Sequence, residues 1–185
     1  MATFSDTLAW AEVPVPDTIQ QMEPRQQEAV SSWMQEVVAR KTEGFNELYQ
    51  AISMIVKYIP HFVVIPLMVE HIKPQIAAGV CLKMGVDQAT SYANDLPPEY
   101  FTEVSRHIDP PMMAEILGKM KKHHAEKFII SELRHHLTRM LDITEHLEDR
   151  MLEIVAKHVT LPEHQDDLVK HPHTDIFNRL RAMQK

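Results

Sequence analysis

A 12-residue repeat of apolar residues runs through the centre of the chain and limits its fold more than any other feature. Six successive copies begin at residues 65, 77, 89, 101, 113 and 125, with the repeat defined by relative positions 0, +3, +4 and +7. Apolar residues occupy 22 of these 24 positions, against about eleven expected from the 44% apolar content. The two exceptions are Ser105 and Glu132. Because the four positions lie on one side of an α-helix, each copy predicts one apolar helical face about two turns long.

Helix-breaking residues separate the copies. Lys73-Pro74, Gly85, Pro97-Pro98 and Asp109-Pro110 stand between them. Proline fits the first turn of a helix, and an aspartate such as Asp109 fits the N-cap position. A helix this short cannot bury its apolar face alone, so successive helical hairpins must stack on one another. The sequence therefore predicts an all-α fold, a right-handed superhelix (solenoid) of short helices with a 12-residue half-repeat.

The repeats occupy residues 60–133 and follow two other segments. Residues 1–23 read as an N-terminal arm, since the prolines in Val13-Pro14-Val15-Pro16 favour an extended backbone. Residues 24–59 carry apolar residues at three- and four-residue steps, which predicts helices, with a break at Gly44.

The C-terminal part of the chain follows a different pattern. No Pro or Gly occurs from residue 121 to 159, which allows one long helix or two with a joint near Ser131. Over residues 134–160 we predict a long amphipathic helix, and over residues 161–185 a His-rich tail with a terminal helix. The apolar seam of the long helix should protrude beyond the short superhelical units. Since a second copy most simply covers such a stripe, we predict a homodimer whose interface includes Leu147, Met151 and Ile154.

Charge and hydropathy exclude several classes of partner. The 26 acidic residues outnumber the 19 basic ones, giving a formal charge of −7, which disfavours nucleic acid and anionic membranes. The longest apolar run, Phe62–Val69, is far shorter than the roughly 20 residues that span a bilayer. The first residues lack the basic and apolar regions of a secretory signal. We therefore expect a protein of the cytoplasm with no membrane span.

Two motifs of the repeat region resemble a known family. One copy is preceded by Leu96-Pro97-Pro98-Glu99, and the next by Asp109-Pro110-Pro111, which leads into Ala114-Glu115-Ile116-Leu117. In these motifs residues 65–133 resemble the cytosolic N-terminal domain of MgtE magnesium transporters, a superhelix of short helices. In the transporters this domain precedes CBS modules and a membrane pore, and these 185 residues contain neither. The resemblance implies the fold and a regulatory or binding role without transport, and it transfers no magnesium ligand to a named residue.

Candidate metal ligands are the main chemical signal, since the chain contains 12 histidines. No two histidines lie three or four residues apart, which removes the helical zinc patterns. Glu132-x-x-His135 matches half of a di-iron motif whose second half is missing. An acidic face on the predicted long helix could hold Mg²⁺ or another divalent cation, because hard cations prefer oxygen ligands. Its members are Asp142, Glu145, His146 and Asp149.

The sequence offers no catalytic residues. There is no nucleophile elbow, phosphate-binding loop or dinucleotide-binding glycine pattern, so no catalytic residue and no organic cofactor are predicted. The single cysteine, Cys81, lies in an apolar stripe where a thiol fills core space. The leading hypothesis is a non-enzymatic cytosolic scaffold or regulatory module that binds a protein partner. The alternative is a sensor of divalent metal or of pH that uses the acidic and His-rich helix faces.

Overall fold

A computed structural model describes residues 15–160 and 173–184, which form helices and connecting loops without any strand. The predicted all-α class is confirmed for this part of the chain. The described residues form twelve helices: α1 (Asp17–Gln20), α2 (Pro24–Lys41), α3 (Phe45–Val56), α4 (His61–His71), α5 (Pro74–Met84), α6 (Val86–Asp95), α7 (Pro98–Ser105), α8 (Pro110–Lys119), α9 (Lys122–His135), α10 (Leu137–Thr144), α11 (Asp149–His158) and α12 (Thr174–Met183).

The chain divides into two compact units, Met1–Asn46 and Glu47–Lys185. The described part of the first unit contains α1 and α2, neither of which has a buried residue. Helix α2 begins at Pro24 with a capping box, in which the Glu23 and Gln26 side chains each bond the other's backbone. The predicted break at Gly44 is present, with φ at +84°, a conformation that glycine adopts without a steric penalty.

The breakers predicted in the second unit stand at helix boundaries. Helices α5, α7 and α8 each begin at a proline, and the Asp109 carboxylate accepts the Met112 N–H at 2.9 Å. Gly85, with φ at +82°, joins α5 directly to α6. Turns this short keep consecutive helices close to each other.

Helices of the second unit pack mainly against the next helix but one. The pairs are α4 with α6, α5 with α7, α6 with α8, α8 with α10 and α9 with α11. Chain neighbours also pack in the pairs α5–α6, α9–α10 and α11–α12. Each helix from α5 to α11 contains only 8 to 14 residues, so its apolar face is covered by several partners rather than by one.

The core follows the predicted 12-residue register over the last five copies of the repeat. Nineteen of their 20 positions are buried, and the remaining one, Met84, is half-buried. The five +3 positions are all buried, as the register predicts: Val80, Tyr92, Val104, Ile116 and Phe128. Glu103 and Lys119 face solvent as expected, whereas Arg106, also expected in water, is half-buried because it contacts His136.

The predicted long C-terminal helix is wrong. Helix α9 continues through Ser131 and ends at His135, and His136, with φ −143° and ψ 53°, separates it from α10. A turn over residues 145–148 then separates α10 from α11. Neither break needs Pro or Gly, so the absence of these residues did not imply a continuous helix.

The predicted dimer interface is also wrong, because its residues lie in the chain's own core. Leu147, Met151 and Ile154 are all buried and belong to the same apolar cluster as the repeat. The two breaks fold the seam back on the molecule, so that α10 packs on α8 and α9 while α11 packs on α9 and α12. The terminal helix predicted in the tail is present as α12, and the rest of the tail, residues 161–172 and 185, lies outside the described residues.

The most apolar helix, α4, remains short. It has 11 residues, contains Pro66, and is much shorter than the roughly 20 residues needed to span a bilayer. Among the described residues, no helix is both long enough and apolar enough to cross a membrane.

Candidate functional site

Three of the four predicted metal ligands, Asp142, Glu145 and Asp149, form ion pairs with residues of the C-terminal helix α12 and its N-cap. The His173 ring places Nδ1 2.9 Å from a Glu145 carboxylate oxygen and Nε2 3.3 Å from an Asp142 oxygen. Asp149 pairs with Arg179 on α12 at 2.7 Å, and His146 is exposed. Over residues 15–160 and 173–184, no group of three or more His, Cys, Asp or Glu side chains could hold a metal ion.

The predicted core cysteine is buried at the centre of α5. Cys81 belongs to the apolar cluster, and burial raises the pKa of its thiol to about 11. At neutral pH the thiol is therefore protonated, and it lacks the thiolate form that nucleophilic chemistry needs.

An exposed apolar surface covers helices α3 and α4 and the loop between them. Its two most exposed residues are Tyr58, in the loop, and Phe62, in the first turn of α4, which are 80% and 79% accessible. We call this the α3–α4 apolar surface; its large exposed members are Leu48, Met54, Ile55, Tyr58, Phe62, Val63, Leu67, Val69 and Ile72.

A groove of about 570 Å³ lies between α7 and α9, beside the C-terminal end of α6. Its floor is apolar, and there the Phe101 and Phe128 rings are 5.1 Å apart between centroids. The α6–α7 wall carries the acidic residues Asp95, Glu99 and Glu103, and the α9 wall carries the basic residues His124, Lys127, His135 and His136. We call this cavity the α7–α9 groove; its volume falls within the roughly 300–1,000 Å³ range of small-ligand pockets.

Several charged groups that line the groove already have partners in the protein. Asp95 bonds His61 of α4 at 2.6 Å, and Glu103 pairs with Arg106 at 3.0 Å. The Arg106 guanidinium also lies 2.9 Å from Nε2 of His136. Since arginine can only donate hydrogen bonds, the Nε2 atom of His136 is the acceptor in this contact.

A buried polar cluster lies at the His136 end of the groove. Its Glu132 carboxylate is fully buried and has no hydrogen-bond partner among the described residues. Burial raises the pKa of Glu132, against the opposing influence of His136, Arg139 and Arg106. Arg139 donates to the Ser105 carbonyl oxygen and, at 2.9 Å, to that of Ile108, and burial lowers its pKa.

The sequence contains a signal for this cluster in the two polar residues of the repeat. Ser105 and Glu132 are the two positions at which the repeat carries a polar residue, and the cluster forms around both. A polar residue at a position that the repeat reserves for the core has to find a partner or remain unsatisfied. The groove itself had no such signal, because its lining comes from three helices and from residues at helix ends.

No protein-family model, curated protein or solved structure matches the chain. The class of protein is therefore the one that its own geometry defines, an all-helical fold with a large exposed apolar surface and a separate charged groove. The resemblance to the MgtE N-terminal domain stays a prediction.

Proposed function

We propose that this chain is a non-enzymatic superhelical scaffold that binds a protein partner through the α3–α4 apolar surface. The packing of most helices from α4 to α9 against the next but one supports the superhelix, because it is the pattern expected of short stacked hairpins. Such superhelices provide extended surfaces for partners, which agrees with the regulatory or binding role that the MgtE resemblance implies. We place this function in the cytoplasm.

The α3–α4 apolar surface is the observation on which the proposal rests. Monomeric proteins seldom leave so many neighbouring large apolar side chains in water, and large exposed patches mark interaction sites. Tyr58 and Phe62 are suited to be its anchors, since aromatic residues dominate binding energy at protein interfaces. The partner we propose is a helix with an apolar face of its own, the usual complement of an apolar helical surface.

Two alternative occupants are less well supported. A membrane surface is disfavoured by the formal charge of −7, since cytoplasmic leaflets are anionic. A second copy of the chain remains as a competing occupant, although the interface predicted at Leu147, Met151 and Ile154 is buried within one chain.

The test compares the wild type with the double variant Tyr58→Asp/Phe62→Asp and with the control Lys83→Glu/Glu153→Lys. All four residues are exposed, so each variant should melt like the wild type. Each protein is immobilised and used to capture binding proteins from a cell extract. Proteins captured by the wild type and the control but not by the double variant are purified, and their affinities for all three are measured by calorimetry. We expect the double variant to bind such a partner at least about tenfold more weakly.

Three results would contradict the proposal. If the purified partner binds all three proteins with equal affinity, the α3–α4 apolar surface does not contribute to binding. Wild-type dimers at tens of micromolar by light scattering, dissociated in the double variant, would assign that surface to a second copy. Co-sedimentation with lipid vesicles, abolished in the double variant, would assign it to a membrane.

We also propose a second candidate function, a sensor of pH or of a divalent metal. The position of His173 favours the pH sensor. Both of its ring nitrogens face carboxylates, from Asp142 and from Glu145, and only the imidazolium form can donate to both. Loss of that proton would weaken the attachment of α12. The protection of α12 against hydrogen exchange, measured relative to the intrinsic exchange rate at each pH, should then differ between pH 5.5 and pH 8 in the wild type and not in His173→Gln, and equal protection at both pH values in the wild type would reject the pH sensor.

A further inference from the structure

The α7–α9 groove contains two side chains of opposite charge that the protein does not pair. Glu99 lies in the first turn of α7 and Lys127 in the second turn of α9, so they stand on opposite walls. Neither makes an ion pair or a hydrogen bond within the described part of the chain. Besides these two residues and the histidines of the α9 side, the charged lining residues are Asp95, Glu103 and Arg106, and all three are paired.

Two hydroxyl groups lie about one helical turn beyond these charges, one on each wall. Thr102 lies on α7 and Ser131 on α9, both are partly exposed in the groove, and neither side chain bonds another described residue. Beneath them are the Phe101 and Phe128 rings of the floor. The groove therefore offers one free negative group, one free positive group, two free hydroxyls and an aromatic floor.

We propose that the α7–α9 groove binds a small zwitterion, a molecule with an ammonium group, a carboxylate group and an apolar or aromatic body. The ammonium group pairs with Glu99, the carboxylate pairs with Lys127, and the body rests on the Phe101 and Phe128 rings. Aromatic amino acids and short peptides with free termini share this chemistry. The α3–α4 apolar surface is elsewhere in the chain, so this proposal does not depend on the proposed partner.

Ligands of a single charge fit the groove less well. An anion beside Lys127 would also face the uncompensated Glu99 carboxylate, and a cation beside Glu99 would face Lys127. His124 does not change this balance, because burial and the nearby His123, Lys121 and Lys127 lower its pKa and leave the ring neutral at pH 7. An uncharged apolar molecule would pair with neither charged group.

The binding test uses calorimetry and thermal melting at pH 7.5 with four probes. L-phenylalanine and the tripeptide Phe-Ala-Ala carry both charges, N-acetylphenylalanine lacks the ammonium group, and phenylalanine amide lacks the carboxylate. We expect one or both zwitterions to raise the melting temperature, and each blocked probe to bind about ten- to hundredfold more weakly. Tighter binding of the tripeptide would identify a peptide ligand, and tighter binding of the amino acid a free metabolite.

Charge exchange between the two walls provides the second arm of the test. Glu99→Lys and Lys127→Glu alone should each weaken zwitterion binding by about tenfold or more, because one end of the ligand then meets a like charge. The double variant Glu99→Lys/Lys127→Glu should regain binding with the ligand reversed. The control Lys83→Glu/Glu153→Lys changes the same charges outside the groove and should bind like the wild type.

Either of two results would overturn the proposal. One is the absence of heat and of any melting shift with both zwitterions at millimolar concentration. The other is binding that the blocked probes match in affinity or that both single charge variants leave intact. Retention of the protein partner by these groove variants would show that the scaffold function is separate.

Discussion

Two copies of the same repeat differ in how far their apolar residues are buried in the folded chain. Both place isoleucine at position +7, yet Ile72 of the first copy is 38% exposed and Ile108 of the fourth copy is 3% exposed. Helix α4, which precedes Ile72, packs mainly on α6. Helix α7, which precedes Ile108, packs on α5, meets α9 through the Phe101–Phe128 ring contact, and is joined to α10 by Arg139.

This difference shows that the repeat defines a helical face but not what covers it. An apolar face in the middle of the run has neighbours on several sides, whereas the face at the beginning of the run has few. The same pattern therefore forms core in one place and an exposed apolar surface in the other. Four predictions below test how far this contrast extends.

The largest effect should come from replacing the two matched isoleucines. Ile108→Ala should lower the free energy of unfolding by about 2–5 kcal/mol, through lost burial and the cavity left behind. Ile72→Ala removes the same atoms from a partly exposed site and should cost less than about 1 kcal/mol. Urea unfolding followed by circular dichroism measures both. Equal losses would mean that α4 is as well covered as α7.

A second pair of variants concerns the contact between α3 and α5. A Cβ atom on Gly79 would lie too close to three ring carbons of Tyr49, so Gly79→Ala must displace that ring. We expect a loss of about 1–3 kcal/mol. The control Gly118→Ala, on α8, meets no atom within 4 Å and should gain up to about 1 kcal/mol from helix propensity. Equal responses in urea unfolding would show that the Tyr49 ring moves without cost.

A third prediction concerns the last copy of the repeat, where Glu132 occupies a position that holds Ile, Met or Leu in the other copies. Glu132→Met should raise stability at pH 7 by roughly 1–2 kcal/mol, because it removes a buried carboxylate without a hydrogen-bond partner. The control Glu153→Met replaces an exposed carboxylate and should change little.

The pH dependence of the same variant gives an independent check. Burial raises the folded-state pKa of Glu132 above the value of 4.5, so the native state binds this proton more tightly than the unfolded state. Its contribution to stability therefore falls as pH rises from about 4.5 through the folded-state pKa. Glu132→Met should lack that decline, and an identical pH profile in urea unfolding would contradict it.

The smallest effect should come from the link between α9 and α11. His158 lies 2.9 Å from Glu126 and lowers the pKa of that carboxyl group by hydrogen bonding. The resulting stability is present above pH 4.5 and is lost as pH falls through the lowered folded-state pKa. His158→Ala should be slightly less stable than the wild type at pH 6 and equal to it at pH 2. His146→Ala, at an exposed histidine, should match the wild type throughout, and a constant deficit in His158→Ala would point to lost packing.

The sequence predicted the core between α5 and α9 almost residue by residue. The repeat places four apolar residues on one face in every copy, and prolines mark where α5, α7 and α8 begin. The C-terminal helices were predicted poorly. The breaks at His136 and at residues 145–148 carry no proline or glycine, so they are stabilised by how α10 and α11 pack rather than by local preference.

The candidate sites were less predictable than the core, because each combines residues distant in sequence. Asp142 and Glu145 were predicted together as metal ligands, whereas in the structure both contact His173, which is 28 residues beyond Glu145. The α7–α9 groove likewise depends on residues from 93 to 136. No spacing rule within one helix could have identified them.

Three features follow from the sequence alone: the helical class, the register of the apolar faces and the points where proline starts a helix. Those features depend on backbone geometry and on the 3.6-residue period, which act within a few residues. Three other features depend on the tertiary structure: which faces are covered, where the seam at Leu147, Met151 and Ile154 is buried, and which charges remain unpaired. Burial and pairing depend on which helices meet in space, and the pattern of a single helix does not contain that information.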